Sequence, residues 1–234
     1  NATDIDSSED DDDTINVDLT GANTTTISGD AAEDTITVTE ATATVTNLDI
    51  YGNRSDNDDE TNLTKPNDDG ADTILVDNTS ALNNTISGDA GADEITVNTA
   101  TALAATLTIY GNNAGNTYVD LDNESAGKAH AEAAFDSDVI TVNETGADTT
   151  TISGDAGQDL ITVVDATTGV TNLDIYGNNA TNTHSDKDLQ DTILVNNTDA
   201  LHTIISGDAD QDTITVEKAH ATSGVNTATL DIYG

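Results

Sequence analysis

The string I-Y-G ends at Gly52, Gly111, Gly177 and Gly234 and cuts the 234 residues into four tandem units, 1–52, 53–111, 112–177 and 178–234. Each unit divides again. Eight segments read D-x-I-x-V, from "DTINV" at Asp13 to "DTITV" at Asp212, and they alternate strictly with segments reading I-x-G. The latter are "ISGD" at Ile27, Ile86, Ile152 and Ile205 and "IYG" at Ile50, Ile109, Ile175 and Ile232. From the Ile of the first D-x-I-x-V to that of "ISGD" is 12 residues in every unit, and from there to the next D-x-I-x-V it is 9. The following step is 14 residues in three units and 18 in the last. Only the return from "IYG" to D-x-I-x-V varies widely, at 24, 31 and 18 residues. Asn1 stands where Asn53, Asn112 and Asn178 stand after "IYG", so the single array 1–234 reads as a whole number of units from a longer repetitive protein.

Repeats of this length must bury their apolar faces against their neighbours, because a strand of about four residues cannot do so alone. Apolar residues alternate within each segment, Ile36 with Val38 and Leu48 with Ile50, which is the period of a strand with one buried face. The expected fold is therefore all-β: a parallel two-sheet β-solenoid of about eight coils, two to each tandem repeat. One coil is a D-x-I-x-V strand, a turn, an I-x-G strand and the opposite turn. Coils stacked roughly 4.8 Å apart would build two parallel sheets around columns of Ile and Val. A four-stranded propeller blade fits the unit length, but its strands occupy four different environments, whereas here the first and third share one pattern and the second and fourth another. Helical spacing occurs only in "SAGKAHAEAAF", residues 125–135.

Charge narrows the function. Five basic residues against 45 acidic ones leave a net charge of −40, which repels phosphate backbones, and one Phe, five Tyr and no Trp leave few rings to stack on bases. Nucleic acid is excluded as a partner. No apolar run approaches the roughly 20 residues of a membrane helix, so membrane insertion is not expected. There is no Cys, hence no disulfide or thiolate site. The four His do not form metal-ligand pairs, no nucleophile elbow or phosphate loop occurs, and the five basic residues do not recur with the repeat. The chain does not read as an enzyme.

The nine-residue step carries the chemistry. "GDAGADEIT" from Gly88 and "GDAGQDLIT" from Gly154 follow G-G-x-G-x-D-x-U-x with Asp for the second Gly. "GDAAEDTIT" from Gly29 and "GDADQDTIT" from Gly207 also lack the fourth-position Gly. The chain thus resembles the nonapeptide repeats of RTX-type β-rolls, found in secreted and cell-surface proteins. The resemblance implies Ca²⁺ held between coils, with ligands at Asp34, Asp93, Asp159 and Asp212. Asp13, Asp72, Asp138 and Asp191 hold the same place before Ile in the other half-units, and Asp30, Asp89, Asp155 and Asp208 replace the family's Gly. Short Asp side chains in tight turns suit a hard cation that takes six to eight oxygens, and a column of like charges about 5 Å apart needs counterions.

The function expected is structural: an extracellular repeat protein whose folding and assembly depend on several Ca²⁺ ions, as part of a surface layer, an adhesin stalk or a filament. Self-association, head-to-tail or lateral, follows from open strand edges at both ends. The first alternative is a glycan- or host-surface-binding adhesin module using the projecting loops 53–71, 112–137 and 178–190, or the row Tyr51, Tyr110, Tyr176 and Tyr233, which should face outward. The second is an acidic halophilic scaffold without specific ion sites. Only nine of the 45 acids are Glu, and Asp recurs two residues before each strand Ile, which favours placed ligands over a generally acidic surface.

Overall fold

A computed structural model describes residues 12–29, 32–52, 70–89, 91–111, 137–155, 157–167, 169–178, 189–208, 210–220 and 228–234. The helical spacing at 125–135 lies outside them. Sixteen strands and no helix occur among the described residues. The odd strands are β1 Thr14–Val17, β3 Thr35–Ala41, β5 Thr73–Thr79, β7 Glu94–Ala100, β9 Val139–Thr145, β11 Leu160–Ala166, β13 Thr192–Thr198 and β15 Thr213–Val216. They form one parallel sheet in sequence order. The even strands are β2 Thr24–Ser28, β4 Asn47–Tyr51, β6 Asn83–Ser87, β8 Thr106–Tyr110, β10 Thr149–Ser153, β12 Asn172–Tyr176, β14 His202–Ser206 and β16 Thr229–Tyr233, and they form the other. This is the two-sheet solenoid expected from the spacing.

Register follows the repeat without slippage. Ile36, Ile74, Ile95, Ile140, Ile161 and Ile193 stack in one column and Val38, Val76, Val97, Val142, Val163 and Val195 in the next. Ile50, Ile86, Ile109, Ile152 and Ile175 face them from the even sheet. All of these are 0% exposed, and each such side chain contributes roughly 1.5–3 kcal/mol by leaving water. A one-residue slip would turn every column to solvent, so burial locks the register.

Beside these common columns the coils differ in pairs. In the short coils, with the 12-residue step, the corner from odd to even strand buries a hydroxyl pair. Thr20 with Thr25, Thr145 with Thr150, and Thr198 with Thr203 lie 2.7, 2.8 and 3.2 Å apart, and Thr79 donates to Asn84 at 2.6 Å. In the long coils the same two columns hold Ala41 and Leu48, Ala100 and Leu107, and Ala166 and Leu173. The two extra residues of the 14-residue step loop Val45, Ala104 or Val170 into the core, where each N–H donates to the carbonyl three residues back at 3.0 Å. Small polar pairs thus alternate with Leu along the axis, and every buried hydroxyl is satisfied by its neighbour. This alternation is why the repeating unit is two coils and not one.

Candidate functional site

The two corners of each coil are chemically unlike. At the first corner, where an even strand turns into the next odd strand, the Asp of D-x-I-x-V points inward. Asp34, Asp72, Asp93, Asp138, Asp159 and Asp191 are 1–2% exposed, six buried carboxyls in consecutive coils. Each Oδ1 accepts the backbone N–H of the corresponding Asp one coil earlier. Asp34 takes Asp13 at 2.7 Å, Asp72 takes Asp34 at 2.7 Å, and Asp93 takes Asp72 at 2.8 Å. The same bond links Asp93 to Asp138, Asp138 to Asp159, Asp159 to Asp191 and Asp191 to Asp212, at 2.7–3.0 Å. The Asp carbonyls meanwhile accept from the residue after the next Asp, as Asp72 does from Glu94 at 2.8 Å. The side chains continue the main-chain ladder around the corner, one staple per coil.

The second carboxyl oxygen meets glycine. A methyl group on Gly29, Gly52, Gly88, Gly111, Gly154, Gly177 or Gly207 would collide with Oδ2 of Asp34, Asp72, Asp93, Asp138, Asp159, Asp191 or Asp212 respectively. The space over the Gly88 Cα is bounded as well by the carbonyl oxygen of Gly111, 2.6 Å from where that methyl carbon would lie, and Gly111 and Gly154 repeat the relation at 2.6 Å. These glycines are needed for close approach. The left-handed backbone lies at the residues after them: Asp89, Asp155 and Asp208 have φ of 69°, 67° and 66°. Asp tolerates that conformation better than most side chains, and each is held by the preceding hydroxyl, Ser87, Ser153 and Ser206 donating to Oδ1 at 2.9, 2.9 and 2.8 Å. The fourth position is left-handed too, whether it is Gly91 (120°), Gly157 (135°), Ala32 (88°) or Asp210 (77°). The two turns that lost the repeat's glycine keep the left-handed φ at that position. Of the acids expected as ligands, Asp13 is exposed at the first coil, Asp208 is exposed, and Asp30 lies outside the described residues.

Burial without a countercharge is unfavourable, and the carboxyls register it. Burial pushes Asp72 up to about 7, with the N–H of Asp34 pulling the other way and the charges of Asp34, Asp89 and Glu33 adding to the rise. Asp159 is pushed up to about 9 by burial, opposed by its backbone hydrogen bond and reinforced by Asp138, Asp191 and Asp155. Asp212 is raised for the same leading reason. The Oδ2 atoms of Asp72, Asp159 and Asp212 are buried and accept no hydrogen bond.

The tyrosines stand on the outer face of the even sheet, as expected, in a column that alternates with serine: Ser28, Tyr51, Ser87, Tyr110, Ser153, Tyr176, Ser206 and Tyr233. Tyr51, Tyr110 and Tyr176 are half-buried. Burial raises the Tyr110 hydroxyl, with the charge of Asp155 in the following coil adding to it. Sequence reasoning missed the hydroxyls at Ser87, Ser153 and Ser206. Their recurrence opposite each Tyr was the available signal.

Calcium is implied by the RTX resemblance, and the first corner offers it a donor set of one kind. The donors are all hard oxygens, carboxylate and main-chain carbonyl, and three of the buried carboxyl oxygens are unpaired. That chemistry fits. A cage of side chains alone is not assembled, since no group of three His, Cys, Asp or Glu residues converges among the described residues. Carbonyl oxygens would have to complete the coordination. No protein-family model, curated protein or solved structure matches the chain.

Proposed function

We propose that this chain is a structural repeat scaffold, a stiff acidic rod of extracellular origin whose folding is coupled to Ca²⁺ bound along the first corner. The observation that carries the reading is the column of inward carboxyls in six consecutive coils, almost fully removed from water, in which Asp72 and Asp159 each keep one oxygen without a hydrogen bond. A buried carboxylate costs several kcal/mol unless it is compensated, and burial pushes Asp72 up to about 7 and Asp159 up to about 9. Either the acids are protonated or a cation compensates them, and hard divalent cations suit an all-oxygen donor set. The residues that would hold Ca²⁺ are Asp72, Asp159 and Asp212 through Oδ2, their counterparts Asp34, Asp93, Asp138 and Asp191, the acids Asp89, Asp155 and Asp208, and the neighbouring Gly carbonyls. The ion would supply countercharge and coil-to-coil bridging, not catalysis.

Two features of the chain make the coupling effective. Self-repulsion at −40 opposes compaction, and the core is a thin double column of aliphatic side chains. Binding to the folded form alone shifts the equilibrium by about 4 kcal/mol when free Ca²⁺ is a thousandfold above its dissociation constant. The chain would stay unfolded at cytosolic calcium and fold outside the cell. A calcium titration in dilute salt, followed by circular dichroism, tests this. The expected result is a cooperative gain of β signal with Ca²⁺, reversed by EDTA. An unchanged spectrum with and without EDTA at neutral pH would reduce the protein to an acidic scaffold without ion sites.

A further inference from the structure

The second corner, where odd strands turn into even ones, has no counterpart to the acidic column. Over three consecutive coils, at residues 41–46, 79–83 and 99–106, it carries no charged side chain, although the protein as a whole bears about one uncompensated negative charge per six residues. Two large apolar side chains stand out from this stretch, Leu82 at 45% and Leu103 at 65% exposure. They belong to adjacent coils joined by the N–H groups of Ala105 and Thr106 donating to the Leu82 carbonyl, at 2.8 and 3.1 Å. Around them stand the small neutral Ser80, Ala102 and Ala105, and the exposed Asp148 of the next coil marks the border, its N–H donating to the Ala104 carbonyl at 3.2 Å. The same edge bears Leu19, 63% exposed, in the first coil, beside Asp18.

We propose that this neutral edge is where one copy of the chain lies against a second copy, side by side, with Leu82 and Leu103 of each packed against those of the other about a two-fold axis. The inference rests on the scaffold reading and adds the contact by which rods associate laterally. Charge selects the occupant. Two molecules at −40 repel wherever acids face each other, but contact through the neutral edge leaves the two acidic corners a sheet width or more from the interface. A seven-residue strand spans roughly 23 Å, and at physiological salt the field decays over about 8 Å. A two-fold contact needs only one self-complementary patch. Two leucine side chains bury far less than the roughly 800 Å² per partner of a stable dimer, so the pairing is weak and shows only at high chain concentration.

The test is sedimentation equilibrium of the calcium-loaded chain at rising NaCl, with circular dichroism on the same samples. Screening weakens the residual repulsion, so dimerisation should tighten about tenfold between 0.1 and 1 M salt. Leu82→Asp with Leu103→Asp should remain monomeric with an unchanged β signal. Val139→Asp with Leu160→Asp, exposed apolar positions on the odd sheet's outer face, should dimerise as the parent does. A folded parent that stays monomeric at about 1 mM chain, where contacts worth roughly 4 kcal/mol register, overturns the edge and leaves the scaffold reading intact. So does dimerisation indifferent to the leucine pair. Cosedimentation of the parent with neutral phosphatidylcholine vesicles, lost in the leucine variant, would replace the second copy with a lipid surface and overturn the proposal. Dimerisation by a chain whose fold ignores calcium would support the edge while removing the calcium reading.

Discussion

The two corners of the solenoid solve one problem, reversing a chain between stacked sheets, with opposite chemistry. At the first corner an inward carboxyl staples each coil to the one before it and presses against a bare glycine. At the second, hydroxyl pairs in the short coils and aliphatic side chains in the long ones fill the turn, and nothing inside is charged. The second corner is self-sufficient, because Thr145 and Thr150 satisfy each other at 2.8 Å. The first is not, since Asp72 and Asp159 are buried with one oxygen unpaired. The proposed reading places a cation in the energetics of the first corner, where six consecutive coils bury the carboxyl, and of the second corner it asks nothing.

Glycine replacement should separate the corners most sharply. In Gly88→Ala the new methyl meets Asp93 and, at 2.6 Å, the Gly111 carbonyl. Asp93 cannot retreat without releasing the Asp72 N–H that its Oδ1 holds at 2.8 Å. The expected loss is about 3 kcal/mol in urea denaturation, at the upper range for overpacking. In Gly146→Ala, at the second corner, the nearest atoms stand at 3.0 and 3.2 Å, the Ala102 nitrogen and the Thr167 hydroxyl, and about 1 kcal/mol is expected. Equal losses would mean that the carboxyl–glycine contact is ordinary packing.

The next test is pH without metal. Asp72, held near 7 in the fold against about 3.9 in an unfolded chain, binds its proton more tightly when folded. Its contribution is fully present below about pH 4 and is lost as pH rises to about 7, and that of Asp159, held near 9, is lost up to about 9. In EDTA the urea midpoint should therefore fall as pH rises from 4 to 9, opposite to the usual acid denaturation. Asp72→Asn keeps an acceptor for the Asp34 N–H and removes the charge, so it should flatten the slope below pH 7 and raise the midpoint at neutrality. Asp148→Asn removes an exposed acid at the second corner and controls for net charge. If the two variants shift the midpoint alike, burial of the column is not what sets the pH response.

Much of this was legible in the repeat. The fixed spacing, the alternation of Ile and Val and the Asp before every strand Ile are enough to place sixteen strands in two sheets and the carboxyls at one corner. The difference between short and long coils was not legible, because Thr25 faces the core and Thr26 faces water in one unbroken run of threonines, and only pairing decides which hydroxyl is buried. The glycines of the turn divide two roles that the motif does not distinguish: Gly88 serves close approach, Gly91 is left-handed at 120°, and Asp89 carries a positive φ of 69°. A sequence motif records that a turn is tight without recording which of its residues bears the strain. The neutral edge was hidden because charge was read as a total, and its polarity between corners appears only after the chain is folded.

The smallest effect expected bears on that strain. Ala32 sits at φ 88°, where an L-residue pays roughly 1–2 kcal/mol relative to glycine, and its equivalents Gly91 and Gly157 show what the position prefers. Ala32→Gly relieves the strain but adds freedom to the unfolded chain, so a net gain of about 0.5 kcal/mol is expected. At the second corner Ala147 is fully buried and has no positive φ, so Ala147→Gly loses both packing and chain stiffness and should cost about 1 kcal/mol. Opposite signs for one substitution at two alanines, read as urea midpoints in calcium, would establish that the first corner holds its backbone under tension to keep the Asp column in line. A loss at both positions would mean that Ala32 is relaxed where it stands, and that glycine in the fourth place of the repeat serves the approach of the neighbouring coil, as the 120° Gly91 does beneath the Gly70 carbonyl.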